Sequence, residues 1–387
     1  MLAINNHKSS TFVPVVGLSF FAVASGFLMS LIPLSLSSFE LSHSLVPWLA
    51  SIYYLGLLVG ATSIERIVSK IGHRTAFILF LSLLISTIVA MLVMPQAAVW
   101  LSARFVAGIA VAGIFVVVES WLLMADSAKQ RAKRLGLYMT SLYGGSALGQ
   151  LGIVPFGVVG FLPYFCIVIL LLVAILPPLL IKGGQPECGS SEKITLHELK
   201  RLSRPALIGC MVSGLLLGPI YGLMPMYIST RLVDANQTGM YMACIILGGM
   251  LVQPLVSFLS TRMSKSLLMA LFCLFGTVGI MGVMNAQLPM LMAMSYLLLG
   301  ACSFALYPIA ITLACDALAK EKIVSATEVM LLSYSVGSVC GPIIAQIFNG
   351  YKQGLVIYLG FCLTTTCLYM LIKSVPKIHS DHRPIAG

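Results

Sequence analysis

Two ionisable side chains interrupt an otherwise apolar stretch, RFVAGIAVAGIFVVVESWLLM, which covers residues 104–124. Arg104 begins this stretch and Glu119 follows 15 positions later, or about 22 Å along a helix axis. The two side chains therefore cannot pair with each other, and each needs water or its own partner. Charges in an apolar environment are costly and commonly mark a transport pathway. A third candidate, Glu328, lies within two turns of the start of another apolar stretch.

Each of these charges has a functional and a structural interpretation. Glu119 is either a carboxylate that exchanges a proton or contacts a cation, or a structural group that pairs with a neighbouring helix or reaches the cytoplasmic interface. Arg104 either lines a polar pathway or anchors its helix at the membrane interface, because arginine reaches the interface easily. Glu328 suits the positive end of a helix dipole, which favours a structural role over a place in a cavity.

The remaining reactive residue types form no enzyme-like pattern. All six histidines lie outside the apolar runs, and the ten cysteines show neither a CxxC pair nor a Cys/His cluster. No Walker motif or nucleophile motif is present. We therefore expect no enzymatic activity, no metal and no cofactor.

The composition predicts an all-α integral membrane protein. Of the 387 residues, 59% are hydrophobic and only 9% are charged, too few charges to cover a soluble surface. The apolar runs are long and do not alternate with polar residues, which favours helices over a β-barrel. The net charge of +11 lies in short loops between these runs. It therefore indicates membrane topology and a lipid bilayer as partner, with no nucleic acid.

Twelve apolar runs predict twelve transmembrane helices. Their approximate spans are 12–36, 45–64, 75–94, 97–124, 135–159, 162–181, 205–229, 238–259, 267–286, 289–315, 323–348 and 353–373. Of the 23 Lys and Arg residues, all except Arg104, Arg231 and Lys352 fall on one side of this topology. The positive-inside rule then places both termini in the cytoplasm.

An internal repeat relates the two halves of the chain. At a constant offset of 192 residues, Gly56 matches Gly248, Gly108 matches Gly300, and Gly149 matches Gly341. Glycines set how closely helices approach, so matches at one offset are informative. We expect two parallel six-helix bundles, residues 1–181 and 205–387, joined by a cytoplasmic loop at 182–204. Parallel repeats suit a transporter that rocks around a central site.

Local motifs then resemble the major facilitator superfamily. The loop SKIGHR, residues 69–74, is similar to the D-R-x-G-R-R signature of the family, and RFVAGIAVA is similar to its R-x-x-x-G-x-x-x-A pattern. GSALGQ and GSVCGP resemble its G-x-x-x-G-P motif. The segments RFVAG…VVVES, YGLMPMY, LYPIA and LLSYSVGS…GP are similar to the YcaD-type group of bacterial inner-membrane transporters. The resemblance implies the major facilitator fold and an inner-membrane location.

The resemblance also implies a gating loop and a central cavity. Both copies of the loop lack the acidic residue of the family. Ser69 replaces it in the first half, and Thr261 replaces it in the second half. We take the gating group to be Glu65, Lys70, Gly72, Arg74, Arg262 and Lys265, whose cations could equally anchor the inner face. The cavity is expected between spans 1, 4, 7 and 10. Its candidate substrate-binding residues are Phe115, Tyr221, Tyr227, Phe304, Tyr307, Gln150, Gln253 and Tyr334.

These observations favour a secondary transporter of a small organic molecule. Aromatic side chains dominate the expected cavity, which suits a lipophilic or cationic cargo. We expect export of this cargo, driven by a proton gradient. Glu119, Arg104 and Glu328 are the candidate coupling or cavity charges. Import of a metabolite by a symporter or facilitator is the alternative, and a receptor or scaffold that retains a transporter fold is another. We expect the protein to be a monomer.

Overall fold

The structure is a computed structural model, and it describes residues 11–123, 128–181, 203–232, 237–316, 323–351 and 353–374. Over these residues the chain is helical and contains no strand. Among the described residues, eleven helices are long and apolar enough to cross a membrane. The twelfth crossing runs from residue 128 to 156 in several pieces. The predicted all-α fold with twelve crossings is confirmed.

The first half contains six crossings. They comprise α1 (Phe12–Ser35), α2 (Val46–Ile71), α3 (His73–Val93), α4 (Ala97–Leu123), the broken fifth crossing of α5 (Ala128–Met139), α6 (Gly145–Gln150) and α7 (Ile153–Phe156), and α8 (Leu162–Leu180). A π-helical turn, Thr140–Gly144, joins α5 to α6. The fifth crossing thus begins seven residues before its predicted start at 135, and α2 extends seven residues beyond its predicted end at 64.

The second half repeats this order. Its helices are α9 (Arg204–Gly222), α10 (Met224–Arg231), α11 (Thr238–Leu251), α12 (Gln253–Ser260), α13 (Lys265–Asn285), α14 (Pro289–Cys315), α15 (Ile323–Ala345) and α16 (Gly354–Ser374). The seventh crossing breaks at Leu223, just before Pro225, and the eighth breaks at Val252, just before Pro254. Proline lacks the amide hydrogen that an uninterrupted helix requires, which accounts for both breaks.

The repeat predicted from glycine positions is visible in the packing of α2 on α4 and of α11 on α14. A Cβ atom on Gly108 would lie 2.1 Å from the carbonyl oxygen of Tyr53. A Cβ atom on Gly300 would lie 1.9 Å from the carbonyl oxygen of Ile245. These four positions are related by the same offset of 192 residues. Each half therefore crosses two helices at backbone contact, which only glycine permits.

We name the two membrane faces by their turns. The Gly72 face carries the tight turn between α2 and α3, where Gly72 has a φ of +80° that favours glycine. The Gln96 face carries the turn between α3 and α4. Most of the loop predicted at 182–204 lies outside the described residues, and the domain boundaries at 181 and 205 stay a prediction.

The two halves meet on the Gln96 face and separate toward the Gly72 face. Near the Gln96 face, a Cβ atom on Gly222 of α9 would lie 2.4 Å from the Cβ of Ala50 on α2. A Cβ atom on Gly239, at the start of α11, would lie 2.1 Å from the carbonyl oxygen of Gln150. On the Gly72 face, α5 and α12 have their main contacts within their own halves. From these contacts we infer that the interface between the halves is a cleft, closed at the Gln96 face.

Candidate functional site

Arg104 lies at the closed end of this cleft, about two turns from the start of α4. Its guanidinium carbon is 4.1 Å from the centre of the Tyr53 ring on α2. Tyr54 and Tyr164 are also near enough to interact with it electrostatically. Its Nε atom is buried and has no hydrogen-bond partner among the described residues. Arg104 is thus a cation that rests on an aromatic face and lacks a paired carboxylate in the described part of the chain.

An aromatic cluster from both halves continues from Arg104 toward the middle of the membrane. Tyr53 and Tyr54 have ring centres 5.4 Å apart. Tyr143, in the π-helical turn, and Tyr221, on α9, each meet Phe304 edge to face at 5.7 Å. Such edge-to-face pairs are favourable and also fix the orientation of the rings. The cluster joins the halves where the cleft begins to open.

Glu119 lies on the open side of the cleft. Its side chain is exposed to solvent, although protein surrounds most of it. A side chain on the wall of an open cleft has this combination, whereas a lipid-facing side chain would have protein on one side only. The Tyr138 hydroxyl on α5 is its hydrogen-bond partner, and Tyr307 of the opposite half lies close enough for an electrostatic interaction. Glu119 therefore lies where the two halves face each other.

Four of the predicted cavity residues contact or closely approach the opposite half, namely Tyr221, Phe304, Tyr307 and Tyr334. Tyr307 stacks obliquely on Tyr334 with ring centres 5.0 Å apart. Phe115 meets Phe21 of α1 edge to face at 6.0 Å. Tyr221 and Phe304 belong to the aromatic cluster. The roles of these residues in substrate binding stay predictions.

The structure places the other three predicted cavity residues elsewhere. Gln150 is completely buried, and its amide donates to the Gly26 carbonyl at 2.7 Å and accepts from the Ser30 hydroxyl at 2.5 Å. Both ends of this amide are therefore occupied by α1, and Gln150 joins two helices instead of facing the cleft. Gln253, at the start of α12, donates to the Gly249 carbonyl of the preceding helix α11 at 3.0 Å.

Tyr227 is likewise a packing residue. It is 8% exposed, and its hydroxyl accepts a hydrogen bond from Arg231 at 3.0 Å. Arg231 also donates to the carbonyl oxygens of Val283 and Met284 at the end of α13. The pair thus fastens α10 to α13 at the Gln96 face, away from the cleft.

Three of the four cations of the predicted gating group have described partners in the fold, and each partner lies within the same half. Arg74 donates to the carbonyl oxygens of Pro178 and Leu179 at the end of α8. Lys265 pairs with Asp316, and Arg262 lies 3.9 Å above the Phe258 ring. Lys70 is exposed. The contacts of Arg74 and Lys265 fasten helix ends together within one half, as expected when the halves are apart on the Gly72 face. The side chains of Glu65 and Glu328 lie outside those that the structure describes.

Sequence reasoning missed the tyrosines that surround the two charges, above all Tyr53 and Tyr138. A signal for Tyr53 was present. Helices α2 and α4 run in the same direction and cross at Gly56 and Gly108. Tyr53 and Arg104 each lie one turn before their glycine, so the crossing brings them to the same level. No comparable signal pairs Tyr138 with Glu119, because the π-helical turn changes the register of the fifth crossing.

A separate groove of about 380 Å³ lies on the outside of the first half, between α3 and α4. Its walls are mostly apolar, and its hydroxyls on Ser86, Thr87 and Ser102 donate to carbonyls of their own helices. The groove contains no charged side chain. We therefore place the candidate site in the cleft between the halves, where the charged residues lie.

Comparisons with known proteins identify the family. A family model described as Major Facilitator Superfamily matches residues 15–342 and, in a second match, residues 206–384. The chain belongs to the major facilitator superfamily. An MFS-type transporter of Yersinia enterocolitica is 29% identical over 365 residues, which cover 92% of this chain and 94% of that protein. The MFS-type transporter YcaD of Escherichia coli is 30% identical over 363 residues, with the same coverage.

Solved structures agree on the fold of this superfamily member. The nucleoside transporter NupG has a TM-score of 0.80 with 10% identity, covering 93% of this chain and 98% of that one. The fucose:proton symporter FucP of Escherichia coli has a TM-score of 0.59 with 14% identity, covering 95% and 98%. Because both identities are low, these likenesses concern the fold and leave the cargo open. The chain is a multi-pass membrane protein of a transporter family, which confirms the expectation of a non-enzymatic function.

Proposed function

We propose that this superfamily member is a secondary active transporter that moves a small organic molecule across the bacterial inner membrane by alternating access, driven by a proton gradient. The observation that supports coupling is the position of Glu119. Of the acidic side chains that the structure describes, it alone lies within a membrane-spanning helix. It is also exposed in a cleft that both halves line.

The proposed orientation places the Gly72 face in the cytoplasm, together with both termini. The support is the distribution of Lys and Arg, since cytoplasmic loops of membrane proteins carry an excess of positive charge. In this orientation the cleft opens to the cytoplasm, and Glu119 exchanges protons with that compartment. The monomeric state stays a prediction.

Closure of the Gly72 side would change the surroundings of Glu119. The side chain lies between Tyr138 of its own half and Tyr307 of the opposite half. When the halves come together, these groups enclose the carboxyl group and exclude water. A neutral carboxyl is far less costly to bury than a carboxylate. Closure is therefore favoured when Glu119 has taken up a proton, which couples proton uptake to the conformational change.

The experiment compares wild type with Glu119→Gln in proteoliposomes that contain a pH-sensitive dye. Sugars, amino acids, organic acids and lipophilic cations are added one class at a time, and the movement of protons is recorded. We expect at least one class to move protons through wild type and none to do so through Glu119→Gln, because the amide cannot titrate. Glu40→Gln, at an exposed loop position, is the matched control and should behave as wild type.

Proton movement that persists in Glu119→Gln would remove Glu119 from the coupling mechanism. The sign of the movement distinguishes the two transport directions. Protons that move against the cargo support export by antiport, the favoured direction, and protons that move with the cargo support import by symport. If a compound binds but neither the compound nor protons cross the membrane, the result would support the alternative that the protein is a receptor.

A further inference from the structure

Arg104 differs from the other cations of the described residues because it has a side-chain nitrogen, Nε, that is buried and has no acceptor. Arg74 and Arg231 donate to helix-end carbonyls, and Lys265 pairs with Asp316. Arg104 has no such acceptor in the described part of the chain, and its Nε is buried without a partner. An unpaired buried donor destabilises a fold unless something else binds it. A ligand with an acceptor group would supply what this site lacks.

The contact with Tyr53 prepares the guanidinium for such a ligand. The ring lies against the planar face of the group, with its centre 4.1 Å from the guanidinium carbon. A cation held by its face keeps the N–H groups of its two terminal nitrogens available. These N–H groups form a fork that matches the two oxygens of a carboxylate, which a lysine ammonium cannot reproduce.

The charge of the cleft is also uneven along its depth. Arg104 occupies the closed end, and Glu119 lies about 22 Å away along α4 toward the opening. At the position equivalent to Arg104, the second half has Tyr296, which is 1% exposed and packs on Tyr241 with ring centres 5.4 Å apart. The closed end thus carries one positive charge from one half, and the nearest described acidic side chain on α4 is too far away to neutralise it.

We propose that Arg104 anchors a substrate anion, namely a small organic carboxylate with a flat apolar or aromatic body. Its carboxylate pairs with the edge of the guanidinium, and its body packs among Tyr53, Tyr54 and Tyr221. This inference rests on the proposed transport function and names its substrate class. An anionic cargo is thus proposed in place of the lipophilic or cationic cargo that Glu119 alone would favour.

The experiment measures thermal unfolding of the full chain in lipid nanodiscs with matched compounds. The probes are benzoate, benzamide and benzylamine, and then indole-3-acetate, indole-3-acetamide and tryptamine. A compound that binds only the folded protein raises the apparent Tm. We expect a rise with at least one carboxylate and none with its amide or amine. Failure of both carboxylates to exceed their amides, or a rise with the amines alone, overturns the proposal.

Three variants connect the response to this side chain. Arg104→Gln should lose the response to carboxylates and should be as stable as wild type, or more stable, without ligand. Arg104→Lys should bind at least about tenfold more weakly, as expected when one hydrogen bond to a charged group is lost. Arg231→Gln removes a positive charge from the other half at the same face and should retain the response. A full carboxylate response in Arg104→Gln, with a lower Tm of the empty protein, would make Arg104 a structural anchor.

Glu119→Gln separates this inference from the proposed function. Because Glu119 is far from Arg104, this variant should keep the rise in Tm with carboxylates. If it keeps that rise and also keeps proton movement, the coupling role of Glu119 is wrong and the anion site stands. If proton movement depends on Glu119 but carboxylates bind equally well to Arg104→Gln, the anion site is wrong and the coupling role stands.

Discussion

Helices α4 and α14 occupy equivalent places in the two halves but carry different chemistry. They cover residues 97–123 and 289–315, which correspond residue for residue at the offset of 192. Both cross a neighbouring helix at a glycine, Gly108 or Gly300. The charges of α4 have no counterpart, since Arg104 corresponds to Tyr296 and Glu119 corresponds to Ile311.

This comparison separates the groups that build the scaffold from those that act on a cargo. The glycines occur in both halves because both halves need the same helix crossing. Arg104 and Glu119 occur in one half because a single central cleft needs each charge only once. The second half contributes aromatic surface to that cleft through Phe304 and Tyr307. Substitutions at equivalent glycines of the two halves should therefore have similar effects on stability, whereas substitutions at other equivalent positions should have different effects.

The largest effect is expected at the glycine crossings. Gly108→Ala and Gly300→Ala would each place a methyl group about 2 Å from a backbone oxygen, so the helices must move apart. Overpacking of this kind costs about 1–3 kcal/mol or more. We expect similar, severe losses in both halves, measured as the free energy of unfolding in detergent or as the yield of folded monodisperse protein.

The matched control is Gly136→Ala on α5, where an added Cβ would meet no atom within 4 Å. Alanine stabilises a helix relative to glycine by roughly 1 kcal/mol, so this variant should be at least as stable as wild type. If Gly108→Ala is harmful and Gly300→Ala is tolerated, the two crossings are not equivalent and the structural repeat is weaker than the glycine contacts indicate.

The same contrast explains what could be predicted from the sequence. Apolar runs predicted the helices because burial in lipid requires them, and glycines at one offset predicted the repeat because only glycine allows such contacts. Tyr227 and Gln150 were misplaced as cavity residues because residue type does not reveal which face of a helix points inward. Partners such as Tyr138 for Glu119 depend on a helical irregularity that has no clear sequence signal.

An intermediate effect is expected at the junction between α1 and α6. Gln150 bonds to Ser30 and Gly26 there, whereas the equivalents of Gln150 and Ser30 in the second half are Pro342 and Gly222. Removal of one partner of a buried hydrogen bond costs about 1–3 kcal/mol. We expect Gln150→Ala to lower the free energy of unfolding by that amount and to leave binding of carboxylates unchanged.

A double-mutant cycle with Ser30→Ala sharpens this test. The two substitutions should be less harmful together than the sum of their separate effects, because each removes the same hydrogen bond. Additive losses would mean that Gln150 acts through packing alone. A loss of carboxylate binding would instead mean that Gln150 contributes to the substrate site, in contrast to its buried contacts with α1.

The smallest effect is expected where the third helix of each half begins. His73 of α3 is 2% exposed and lies 2.9 Å from the Ser120 hydroxyl of α4. Its equivalent is Lys265 of α13, which pairs with Asp316 at side-chain exposures of 21% and 51%. Because exposed ion pairs contribute roughly 0–1 kcal/mol and are screened by salt, Lys265→Ala should lower the free energy of unfolding by less than about 1 kcal/mol. His73→Ala, which empties a buried position, should be more harmful. Equal losses that persist at high salt would mean that burial is not what distinguishes these two junctions.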